Sequence, residues 1–212
     1  MTLPELIPIF PLPNVVFFPA MPLPLHVFEP RYRDMVRDAA RGARLIGMVL
    51  LRGNWEQDYY GRPPVFGTGS VGEMVRVEEL PDGRFNIVLR GIREFTIVRE
   101  VERVAYREAV VGWREAPADA LPAGTRERID ARVRRYLELQ GRELDGESLV
   151  RSHVDDETFV NFFAQHLDVA PVEKQALLEA PTLDARARRL LDVLEFGIDE
   201  LRLHPTGQSR AH

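Results

Sequence analysis

An imidazole and a carboxylate three residues apart are the first groups in this sequence that could do chemistry. His26 and Glu29 sit in the stretch PLPLHVFEPRY, residues 22–32. Such a pair could relay a proton or supply half a metal site, but either role needs a constellation of converging groups. The local pattern argues otherwise. Leu23, Leu25 and Val27 alternate with Pro22, Pro24, His26 and Phe28, as in an extended strand, and two prolines confine it to a sheet edge. Pro30 then fits the first position of a helix, with Glu29 as its N-cap. Strand followed by cap sends the two side chains in unrelated directions. His26, Phe28, Glu29, Pro30, Arg31 and Tyr32 are therefore read as a structural motif.

Gly67, Gly69 and Gly72 spell G-x-G-x-x-G, with Glu94 at a suitable distance beyond. That pattern binds a dinucleotide when a helix begins on the glycines and points its N-terminus at the pyrophosphate. EMVRVEEL follows instead, alternating like a strand, so the glycines are expected at bends or a bulge. Lys174 is the only lysine, with no glycine before it in PVEKQAL, which excludes a P-loop. Ser70, Ser148, Ser152 and Ser209 lie in no recognisable nucleophile setting, and cysteine is absent. His153 stands beside Asp155, Asp156 and Glu157, where acids before a helix usually cap it. No catalytic, cofactor-binding or metal-binding residue is expected.

One loop reads differently. Arg52–Pro64 is long and polar and carries Trp55, Tyr59, Tyr60 and Arg62. Large aromatics and arginine are the usual anchors of interfaces. These four are the candidate recognition residues, the bland alternative being that Trp55 and Tyr59 fold back as a lid.

The elements that must position these groups divide the chain. The apolar run at 45–51 reads as a strand buried on both faces, and Pro81-Asp82-Gly83 as a hairpin turn between MVRV and RFNIVLR. Short strands continue to residue 112, suggesting a small barrel or sandwich with one early helix whose face is Tyr32, Met35, Val36 and Ala39. Residues 113–124 read as a linker. From 125 to 204 the period turns helical, with Ile129, Val133, Tyr136 and Leu137 on one face and Phe159, Phe162, Phe163 and Leu167 on another. Thr182 caps a last helix whose face is Leu183, Leu190, Leu191, Leu194, Ile198 and Leu201. Residues 205–212 are expected to fray. Arg126–Asp130 and Arg134–Glu138 have the spacing of solvated ion pairs. The fold class is α+β.

Composition narrows the function classes. Residues 1–112 carry 14 arginines and 14 acids, and residues 113–212 carry 14 basic residues and 19 acids, for a net charge of −5. Neither half has the positive excess of a general nucleic-acid binder. The first residues lack a basic signal-peptide start, and no run approaches the roughly 20 apolar residues of a membrane span. A cytosolic (cytoplasmic) location is expected, with no membrane association. Oligomeric state is not legible.

PLPLHVFEPRYRDMV, preceded by IPIFPL and by Val16-Phe17-Phe18-Pro19, resembles the opening of the Lon protease N-terminal domain family. Ala20 stands where that family usually has glycine. The likeness continues in Gly67-Thr68-Gly69, in LPDGRF with Gly91-Ile92-Arg93-Glu94-Phe95, and in Glu173-Lys174-Gln175. The resemblance implies a β pseudo-barrel of PUA-like type, then a helical bundle, and a part in recognising protein substrates. With the ATPase and peptidase motifs missing, the expectation is a stand-alone, non-enzymatic module that recognises unfolded polypeptide or a specific protein without ATP. The groove between the two halves is a second candidate surface. The rivals are a nucleic-acid module using Arg84, Arg90 and Arg93, and a small-molecule binder.

Overall fold

The computed structural model describes residues 3–58, 61–116, 120–142 and 154–203. Tyr59, Tyr60, His153 and the expected tail 205–212 lie outside them. In chain order the elements are β1 (Leu6–Leu12), β2 (Pro22–Val27), α1 (Pro30–Arg41), β3 (Leu45–Leu51), β4 (Val65–Glu79), β5 (Phe85–Val101), β6 (Arg107–Trp113), α2 (Thr125–Leu139), α3 (Asp156–His166), α4 (Pro171–Leu178) and α5 (Leu183–Leu203). The fold is α+β. Its contacts divide the chain into two compact units, Met1–Ala116 with Leu167–Glu179, and Pro117–His166 with Ala180–His212.

In the first unit the strand order is β2-β5-β4-β3-β1-β6, and β6 also pairs with β5. That last pairing closes β1, β3, β4, β5 and β6 into a barrel. The 17-residue β5 makes closure possible: its first half pairs with β2 and its second half with β6. β1 and β3 run parallel, and the other pairs are antiparallel. Ile7, Ile9, Leu45, Val49, Val71, Phe95, Ala109 and Val111 form a buried cluster. Each large aliphatic side chain there contributes about 1.5–3 kcal/mol relative to exposure. The continuous apolar run of β3 is buried at every position, as its composition requires.

α1 begins at Pro30 and buries Tyr32, Met35, Val36 and Ala39. Tyr32 packs on Phe10 with ring centroids 4.3 Å apart, and burial raises its pKa above the usual phenol value. Glu29 occupies the N-cap position, but its carboxylate does not cap the helix. It is held by Arg31 instead, at 3.1 Å, because that guanidinium offers a charge-assisted partner within two residues.

α4 groups with the barrel although its period matches the helical half. The Gln175 amide donates to Thr68 O at 3.0 Å, and Arg114 Nη1 donates to Leu178 O at 2.9 Å while pairing with Glu94 at 2.8 Å. Trp113 closes β6 and sets its ring edge-on to Phe95.

In the second unit Asp155 accepts the Thr158 N–H at 2.7 Å, capping α3 and holding its carboxyl below the usual range. Thr182 Oγ1 does the same for Ala185 N–H at the start of α5. The expected pairs at i,i+4 are redistributed. Arg126 reaches Asp156 at 3.0 Å and lies over the Phe159 ring, leaving Asp130 to Arg134 and Glu138 to Arg135. Asp130 and Asp156 are half-buried alike, so the Phe159 face beside Asp156 is what distinguishes the partner Arg126 takes. The face of α5 also buries Arg186, which donates to the buried Asn161 Oδ1 at 2.6 Å.

Candidate functional site

The aromatic loop leaves β3 and returns to β4, so its two ends are fixed by adjacent strands. Arg52 N–H donates to Pro64 O at 2.8 Å. The buried Arg107 donates from Nη1 to Pro63 O and from Nε to Glu100, both at 2.8 Å. Arg62 joins the same group, 3.0 Å from Glu102 and 3.7 Å from Glu100. Trp55 is half-buried and opens a short 3-10 turn, Trp55–Asp58. The structure thus sets Arg62 against carboxylates of the β5–β6 end, with Val104 of that turn 41% exposed.

A second surface escaped the sequence reading. Pro24, Leu25 and His26 of β2, Asn86, Ile87 and Val88 of β5, and Arg76 and Glu78 of β4 line an open groove of ≈ 450 Å³. Register builds it: Val88 lies between Pro24 and Arg76, and Asn86 between His26 and Glu78. His26 is part of its wall. Arg84 Nη1 lies 3.2 Å from Nε2, and Asn86 Oδ1 lies 2.8 Å from Nδ1. A guanidinium only donates, so Nε2 accepts and Nδ1 carries the hydrogen to Asn86. Phe28 stacks against His26 and is 59% exposed. Pro22 and Pro24 remove amide donors from the outer strand, which disfavours strand addition there. Contacts in this groove would be made by side chains. The alternation of β2 hinted at an exposed face; which strand it paired with was not legible.

Gly67, Gly69 and Gly72 all lie inside β4, so no helix N-terminus stands on them. A side chain on Gly69 would press into the Met48 carbonyl oxygen and sit 2.8 Å from Phe95 Cζ. At Gly72, where the β4–β5 register shifts, it would meet Phe17 at 2.7 Å. Glu94 is bound to Arg114. Ser70 is fully buried, and its Oγ has no hydrogen-bond partner among the described residues. Lys174 sits in α4, where burial lowers its pKa against an opposing pull from Asp168. Two arginines of the proposed basic stripe are neutralised: Arg84 lies 2.7 Å from Asp82 and Arg90 3.1 Å from Glu73. Among the described residues no group of three or more His, Cys, Asp or Glu is placed to hold a metal ion. No helix among them is long and apolar enough to cross a membrane.

The family model of the ATP-dependent protease La (LON) substrate-binding domain matches residues 6–195. The chain belongs to this family. Lon protease 2 of Myxococcus xanthus is 30% identical over 209 residues, covering 95% of this chain and 25% of that protein. Lon protease of Anaeromyxobacter dehalogenans is 29% identical over 206 residues, covering 95% and 24%. The chain therefore spans about a quarter of the length of the curated Lon proteases it matches. A Lon N-terminal domain protein from Xanthomonas campestris superposes with a TM-score of 0.66 at 24% identity, over 88% of this chain and 97% of that one. The N-terminal domain of Mycobacterium avium complex Lon protease gives 0.67 at 17%, over 90% and 98%. At those identities the two structures speak for the shared fold of the Lon N-terminal domain.

Proposed function

We propose that this chain is a non-enzymatic, cytosolic module that recognises unfolded polypeptide without ATP. The observation that carries the reading is the match of a substrate-binding domain family to residues 6–195. The groove of β2, β5 and β4 supports it, since apolar side chains of Pro24, Leu25 and Val88 lie between polar flanks and the exposed Phe28 stacks on His26 of its wall. Such a surface suits short apolar runs that folded proteins bury and unfolded ones display. The loop carrying Trp55 and Arg62 is the second contact region. Among the described residues the chemistry-bearing groups support the non-enzymatic reading too: Ser70 Oγ makes no hydrogen bond, Glu94 opposite it in register is held by Arg114, and the glycine motif is strand.

The test compares one labelled polypeptide in permanently unfolded and in folded form by fluorescence anisotropy, without nucleotide, beside a single-stranded RNA. Saturable binding of the unfolded form alone is expected. Equal binding of both forms, or retention of RNA only, would end the proposal.

A further inference from the structure

The acidic second half contains a groove walled by arginines. On α2, Arg128, Ala131 and Arg132 face Arg188, Leu191, Asp192 and Glu195 of α5 across ≈ 570 Å³. The i, i+3, i+4 spacing on each helix puts these residues on facing stripes. The arginines are not equivalent. Arg132 closes the groove through a 3.0 Å ion pair with Glu195. Arg188 is 71% exposed and held by Asp184 of its own helix at 2.6 Å. Arg128 pairs with no carboxylate among the described residues; its side chain makes a 3.4 Å hydrogen bond to Thr125 Oγ1. A guanidinium held only by one long hydrogen bond to a hydroxyl, beside the apolar Ala131 and Leu191, can receive a carboxylate.

We propose that this groove takes an acidic side chain of a partner polypeptide together with an apolar neighbour. The carboxylate is received by Arg128, with Arg188 at the rim, and the apolar residue rests on Ala131 and Leu191. Asp192 repels a second carboxylate, so the motif is one acid beside one apolar residue. The inference rests on the polypeptide-recognition reading and adds a substrate class to it.

The experiment titrates the full chain into labelled 12-residue peptides of Gly and Ser carrying either Glu-Leu or Gln-Leu, alongside an acid-free unfolded polypeptide. The Glu-Leu peptide is expected to bind about tenfold tighter than Gln-Leu. Raising salt should narrow that preference. Arg128→Gln should abolish it with unchanged helical circular dichroism, and Arg135→Gln, on the same helix outside the groove, should leave it intact. Equal affinity for the two peptides, or a preference that survives Arg128→Gln, overturns the proposal. Millimolar phosphate that displaces the peptide completely would mark the groove as a general anion site and overturn it too. Failure of the acid-free polypeptide alone would count against the wider reading and leave the groove standing.

Discussion

Arg107 and Glu100 form a two-point ion pair where the aromatic loop returns to the barrel, with Arg107 Nε 2.8 Å from the carboxylate and the Arg107 side chain 7% exposed. Arg107 also donates to Pro63 O, and Arg62 reaches Glu100 from the loop side. The loop is thus tied down at its base by a buried charge pair and at its rim by an exposed one. Removing Arg107 takes from Glu100 its closer partner, leaving it Arg62 at 3.7 Å, and frees a buried carbonyl, so Arg107→Ala should cost about 2–3 kcal/mol. Arg62→Ala, at a rim 37% exposed, should cost below about 1 kcal/mol. Urea unfolding reads both, and similar losses would show that depth does not order these pairs.

Gly69 and Gly67 sit two residues apart on β4 with opposite surroundings. Alanine at 69 meets a backbone carbonyl that cannot step aside, whereas at 67 nothing lies within 4 Å. Gly69→Ala should therefore destabilise by about 2 kcal/mol or more, and Gly67→Ala should be nearly neutral. Thermal melts of the two variants decide it, and a harmless Gly69→Ala would refute the packing account of this motif.

Ala20 has φ of +67° and donates its N–H to Gly91 O at 3.0 Å. A β-carbon is strained in that region, and glycine is not. Ala20→Gly should gain roughly 0.5–1 kcal/mol after the entropy of the freer unfolded chain is subtracted. A lower midpoint in the variant would mean that the turn bears no such strain.

Tyr106 has its pKa pushed up to about 12, by burial first and then by the hydrogen bond from its hydroxyl to Asp38. The native state keeps this proton after the unfolded chain has lost it. The stabilisation is whole below pH 10 and is lost as pH rises through about 12. Unfolding midpoints should fall over that window, and Tyr106→Phe should flatten part of the fall, with buried Tyr32 retaining the rest. An unchanged alkaline slope in Tyr106→Phe would contradict the assignment.

Local pattern made the fold legible where neighbours in sequence decide structure. The buried face of α1, the all-buried β3 and the Thr182 cap follow from period and residue type. Pairings that span the chain were not legible. Arg126 prefers Asp156, thirty residues away, to Asp130 on its own helix, and α4 reaches Thr68 across 107 residues. The groove depends on β2 lying beside β5, a register that alternation within β2 leaves open. Trp55 and Arg62 stood out by residue type, yet Arg62 is engaged with carboxylates of its own chain.

In the function proposed above, the barrel unit holds unfolded polypeptide through side chains of its exposed groove and loop. The most direct measurement is the dissociation constant of a labelled unfolded polypeptide for the native chain, Phe28→Ala and Trp55→Ala, with folding of each variant checked by its thermal midpoint. Saturable binding without ATP is expected, with at least about tenfold weakening in one of the two variants at unchanged stability. Native affinity in both variants, or no binding by the native chain, would contradict it.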